Sequence, residues 1–184
     1  MPVKAYYPST LWSSERINES LTGVRVGDVM GEGREDIVAI GLRRLIVFRI
    51  IENQPFKIFD QQGKRSEEWI KLSLFDLDAD GTDEILISGF RNGLAYSIVG
   101  KIADKKFIRL KEVDYFLTVV PWAAQDFPSP LVGEGRVRGE KKILVGQKTV
   151  SEVNPAGSLM QLTWNGNDFV QKGTIKLPGG LSGK

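Results

Sequence analysis

The chain has no cysteine and no histidine. Without thiols there is no disulfide framework, no cysteine zinc site and no cysteine nucleophile. Without imidazole there is no Ser-His-Asp triad and no usual zinc or copper site. An excess of one charge is also missing. Lys and Arg number 25 against 23 Asp and Glu in 184 residues, so electrostatics make no case for nucleic acid. Long apolar runs are absent as well. None reaches the ~18 residues of a membrane-spanning helix, and Met1–Pro8 lacks the apolar stretch of a signal peptide. Helical periodicity is the last absence: Ser13–Ser20 is polar and makes a turn at most.

What is present is a series of short runs rich in β-branched and aromatic residues. They predict strands at Val24–Asp28, Ile37–Ile40, Leu45–Ile50, Phe56–Asp60, Ile70–Asp76, Ile85–Ser88, Ala95–Gly100, Phe107–Glu112, Phe116–Pro121, Ile143–Gln147, Ser158–Trp164 and Asp168–Ile175. Turn dipeptides such as Asn92-Gly93 and Asn165-Gly166 separate them. The fold class is therefore all-β, and Val38, Ile40, Leu86, Ile87, Leu144 and Val145 are the expected core.

An internal repeat narrows the architecture. Asp28, Gly33, Asp36, Ile37 and Gly41 align with Asp76, Gly81, Glu84, Ile85 and Gly89 at a constant offset of 48. A weaker third copy places Glu134, Gly139, Lys142 and Ile143 a further 58 residues on, with Gly146 one position early. A repeat of ~40–50 residues is the size of one propeller blade.

The stretches Gly27–Val38 and Asp76–Ile87 resemble the FG-GAP or VCBS-type repeat of integrin alpha-chain β-propellers and bacterial secreted proteins. Val119–Trp122, Ile143–Gln147, Leu159–Trp164 and Leu177-Pro178 are similar to later blades of VCBS-repeat proteins, where the calcium motif is commonly lost. The resemblance implies a β-propeller, calcium in the inter-strand loops and an extracytoplasmic location, and it implies no one activity. About three blades are expected, over 20–68, 69–115 and 116–178, with 179–184 a flexible tail. Propellers close with ~4–8 blades, so the ring is expected to be incomplete. The chain then belongs to a longer parent, is a truncated product, or associates with a partner through open sheet edges.

Asp76-x-Asp78-x-Asp80-Gly81-x-x-Glu84 is the strongest chemical signal. Calcium takes 6–8 hard oxygen ligands, and a glycine at the sixth position permits the sharp turn. The expected ligands are the side chains of Asp76, Asp78, Asp80 and Glu84 and the carbonyl of Thr82, with Asp83 pointing away. The competing account is a solvated acidic turn, or an ion-free loop tied by Asx hydrogen bonds. An EF-hand needs Glu at loop position twelve, which is Ile87 here. Asp28, Glu32 and Asp36 form a degenerate first copy with Met30 at a ligand position, and Arg34 or a hydrogen bond is expected to replace the ion. Arg136, Arg138 and Lys142 exclude a cation from the third copy.

Other signals carry less. The terminal Gly179–Lys184 resembles a phosphate loop only faintly, since Pro178 stands where its first glycine is required. Trp12, Trp69, Trp122 and Trp164 are out of repeat register, which favours packing over a sugar-binding surface. The leading functional expectation is a non-enzymatic, calcium-stabilised scaffold that binds a protein or glycan. The alternatives are part of a polysaccharide-active propeller enzyme, or a fragment without independent function.

Overall fold

The computed structural model describes residues 17, 19–122, 141–147 and 158–176. They contain twelve strands: β1 (Leu21–Gly27), β2 (Asp36–Gly41), β3 (Arg44–Ile51), β4 (Gln54–Gln62), β5 (Glu67–Phe75), β6 (Glu84–Arg91), β7 (Leu94–Ala103), β8 (Lys106–Val113), β9 (Phe116–Trp122), β10 (Lys141–Gln147), β11 (Ser158–Trp164) and β12 (Phe169–Lys176). Each expected strand is present, most of them longer at one or both ends. The second sheet starts at Glu67 rather than after residue 68. The region expected as a tail, 179–184, lies outside the described residues.

The strands form three four-stranded antiparallel sheets, each a meander in chain order: β1–β4, β5–β8 and β9–β12. Two-residue turns join β2 to β3, β3 to β4, β6 to β7 and β7 to β8. Asn92 and Gly93 both take positive φ (52° and 78°), as the mirror-image hairpin turn requires. Glu52-Asn53 and Asp104-Lys105 do the same without glycine. In the β11–β12 turn the Asn165 side chain accepts the Asn167 and Asp168 N–H groups.

The sheets stack face to face in chain order. Val38, Ile40, Leu45 and Val47 of the first sheet pack on Leu72, Leu74, Ile85, Ile87 and Ile98 of the second. On its other face the second sheet offers Leu86 and Val99 to Leu117, Leu144 and Leu162 of the third. Both its faces are thus buried. That is why Ile85-Leu86-Ile87 of β6 are apolar on successive residues rather than alternating. Val145 is buried too, as are the other five expected core residues.

Pleat alternation corrects the spacing of the third repeat. Leu144 faces the preceding sheet, as Ile87 does, whereas Leu86 faces the following one. A slip of one residue exchanges the two faces. Within β10 the even offset of 58 therefore fails, and of the odd offsets 57 brings Gly146 into line with Gly89, while Glu134 and Gly139 lie outside the described residues.

Candidate metal centre

The β1–β2 and β5–β6 connections have the same geometry. In the first, Asp28 Oδ1 accepts the Gly31 and Glu32 N–H groups (2.8 and 3.2 Å), and Oδ2 accepts Gly33 N–H at 2.6 Å. In the second, Asp76 Oδ1 accepts Asp80 N–H at 3.1 Å, and Oδ2 accepts Gly81 N–H at 3.0 Å. Positive φ falls at Gly31 and Gly33 in one loop, and at Ala79 and Gly81 in the other. The first aspartate thus folds each turn by taking backbone donors, as Asx motifs do.

The loops differ in what their carboxylates face. In the second, Asp76, Asp78 and Glu84 each bring an oxygen within 4.8 Å of the others. Asp80 is outside this group, and its Oδ1 accepts Thr82 N–H at 2.7 Å. Asp83 is outside it as well, and its N–H donates to the Asp28 carbonyl at 2.7 Å, which ties the two loops together. Glu84 is buried, and its Oε2 accepts Leu77 N–H at 2.8 Å. Burial pushes its pKa up to about 7, and Asp78, Asp80 and Asp76 add to the rise against the opposing Leu77 bond. Three convergent carboxylates are a hard, all-oxygen donor set. They suit calcium and do not suit a thiophilic metal.

In the first loop a guanidinium takes the central position. Arg49 on β3 donates from Nε and Nη2 to the two Asp36 oxygens (2.8 and 3.1 Å) and from Nη1 to Glu32 Oε2 at 2.6 Å. Asp36 is fully buried. Its hydrogen bonds raise the Arg49 pKa against the cost of burial. The degenerate set Asp28, Glu32 and Asp36 thus divides: Asp28 serves the backbone, and Arg49 serves the other two. The cation at these carboxylates is Arg49 and not the expected Arg34, because Asp36 and Arg49 each lie one residue beyond the Ile37–Phe48 pair at the end of the β2–β3 ladder. The matching position across from Glu84 is Lys101, which is exposed. Glu134, Arg136 and Arg138 of the third copy lie outside the described residues, and so does the Lys142 side chain.

A second charged cluster was not legible from the repeats. Glu67 is fully buried at the start of β5. Arg109 donates to both its oxygens (2.7 and 3.0 Å) and also to Glu112. Arg91 bonds Glu112 at 2.7 Å and lies over the Tyr96 ring at 4.2 Å. Burial pushes the Glu67 carboxyl up, but Arg109, the Lys64 N–H and Arg91 together hold it below the usual range. Nothing in the spacing of Glu67, Arg91, Arg109 and Glu112 along the sequence marks this network. Of the tryptophans, Trp69 is buried, with its indole N–H on Tyr96 Oη, and Trp164 packs on Phe169. Trp12 and the Trp122 side chain lie outside the described residues.

No protein-family profile matches the chain, and no curated protein sequence matches it.

Proposed function

We propose that the chain is a run of three blades of an FG-GAP/VCBS-like β-propeller, stabilised by calcium in the Asp76 loop and serving as a non-enzymatic binding scaffold. Three observations favour blades. The sheets are successive four-strand meanders. They stack in chain order, with β1 against β5 and β9 against β5 and β6. First strands that neighbour one another fit a radial array. The repeat offset of 48 is also kept in the pairing: Val24–Ala39 and Val26–Ile37 correspond to Leu72–Ile87 and Leu74–Ile85. Leu72 and Leu74 are 1% and 6% exposed, buried in the core shared with the first sheet. Val24 and Val26 are 45% and 58% exposed at the corresponding positions. An incomplete ring has such a face, for a further blade of a longer chain or for a partner.

The convergence of Asp76, Asp78 and Glu84 carries the calcium assignment. Asp76, Asp78 and Glu84 would hold the ion. Its role is structural, because it neutralises a buried carboxylate and ties the β5–β6 turn. By resemblance, the module belongs outside the cytoplasm, where calcium is plentiful. A protein or glycan is the proposed ligand. A cleft of about 620 Å³ between the second and third sheets offers mixed chemistry for it, with Arg91, Tyr96, Lys111, Asp114, Tyr115 and Asp168 in its walls.

Thermal unfolding in millimolar calcium and in chelator tests the assignment. A rise in midpoint with calcium, abolished by Asp78→Asn, supports it. A cooperative transition indifferent to calcium removes the ion from the proposal.

A further inference from the structure

The two sheet-to-sheet junctions use different chemistry at corresponding positions. At the first, Ile40 and Leu45 face each other across the β2–β3 ladder, both fully buried against the second sheet. At the second, Ser88 and Ser97 face each other across the β6–β7 ladder, 1% and 0% exposed. Ile40 and Ser88 are 48 residues apart, the repeat offset. An apolar pair in one junction is thus a hydroxyl pair in the other.

The hydroxyls are bonded to the strand that crosses them. Ser88 Oγ lies 2.7 Å from the Leu117 carbonyl oxygen, and Ser97 Oγ lies 2.7 Å from that of Tyr115. Leu117 N–H is shared between Ser88 Oγ at 3.0 Å and Ser97 Oγ at 2.9 Å. The two hydroxyls are 2.7 Å from each other. Two hydroxyl protons thus serve three acceptors, and both oxygens receive the same amide. At the first junction the crossing strand is held otherwise: Trp69 N–H donates to the Leu42 carbonyl, and Thr22 Oγ1 donates to that of Trp69.

We propose that Ser88 and Ser97 are a docking key, which reserves the far face of the second sheet for the third. Under any other apolar sheet the two hydroxyls could bond only each other, which leaves one buried hydroxyl proton without an acceptor, a costly outcome in a dry interface. The start of β9 instead supplies one donor and two acceptors where they are needed. Exchange between the two junctions is disfavoured in the other direction too. Over Ile40 and Leu45, no hydroxyl is presented to the Tyr115 carbonyl, and only Leu42 and Thr22, which serve Trp69 there, could answer Leu117. The pair therefore fixes the order of the sheets as well as filling space.

Amide hydrogen exchange by NMR on the natural chain and three variants tests this. Ser88→Ala and Ser97→Ala each leave Leu117 N–H one acceptor, so its exchange should quicken only about threefold. The double variant leaves none, and exchange should quicken at least thirtyfold relative to either single variant, with Trp69 N–H unchanged. A double effect no larger than the product of the single effects would overturn the key. Equal acceleration at Leu117 and Trp69 would overturn it as well. If the double variant does not fold, the single variants decide by the same contrast between the two amides. As a second measurement, Ser88→Ile with Ser97→Leu copies the first junction. The Leu86–Leu144 nuclear Overhauser contact should disappear while Ile40–Ile87 persists. Retention of both contacts would show that an apolar pair docks the third sheet equally well, and would also overturn the key.

Discussion

Glu84 should make the calcium-free protein lose stability as pH rises through the neutral range. Its carboxyl titrates near 7 in the fold and near 4.5 in an open chain. The folded state therefore binds this proton more tightly. The stability it contributes is complete below about pH 4.5 and is lost as pH climbs to 7. That difference corresponds to about 3 kcal/mol, close to one proton per molecule across the steep part of the curve. The chain suits this measurement because it contains no histidine, the side chain that ordinarily titrates there. The lowered carboxyls, among them Glu67, Glu112 and Asp60, act in the opposite sense and below that window. Urea unfolding in chelator at half-unit steps from pH 5 to 8 should show the fall. Glu84→Gln should flatten the curve and make the protein more stable than the natural chain at pH 8. Calcium should restore stability at pH 7.5 in the natural chain and have little effect at pH 5. A flat profile in chelator, or a slope that survives in Glu84→Gln, would refute the reasoning.

Further outcomes follow from the same geometry. Arg49→Met leaves Asp36 a buried charge without its partner and should cost about 3–5 kcal/mol by urea unfolding. Calcium dependence of that loss would show the guanidinium not to be the resident cation. Arg109→Met should destabilise by a similar amount at pH 7 and by progressively less as pH falls, because protonation of Glu67 removes its need for a counter-charge. A loss independent of pH would point to packing instead. Gly89→Ala places a Cβ 1.9 Å from the Glu68 carbonyl oxygen and should cost about 3 kcal/mol or prevent folding. A midpoint within a degree of the natural chain would contradict the close approach.

Most of the fold was legible because each strand carries its own signal, in β-branched runs closed by turn residues. The core was legible for the same reason, since burial of both faces of the second sheet leaves the centre of β6, Ile85-Leu86-Ile87, apolar on successive residues. What escaped depends on partners distant in sequence. Arg49 answers Asp36 only because the β2–β3 ladder, ending at Ile37–Phe48, brings the residues next to that pair together. Glu67 and Arg109 meet across 42 residues. The spacing of the third repeat went astray by one residue because a degenerate loop carries no anchor, and only the pleat distinguishes its two faces. At the acidic loop the fold brings together the carboxylates of Asp76, Asp78 and Glu84, three of the expected set. The spacing could not show that Asp80 turns its carboxylate to Thr82, a choice made by local hydrogen bonding.

The burial of the second sheet on both sides has a bearing on cooperativity. Among the described residues the first and third sheets share no substantial contact, so each senses the other only through the sheet between them. The three behave as a linear series with two couplings, in which nearest-neighbour terms set the stability. Loosening an outer sheet weakens one coupling, whereas loosening the middle one weakens both. The Asp76 turn and the Ser88–Ser97 pair both belong to that middle sheet. A change at either is therefore positioned to be transmitted in both directions along the series.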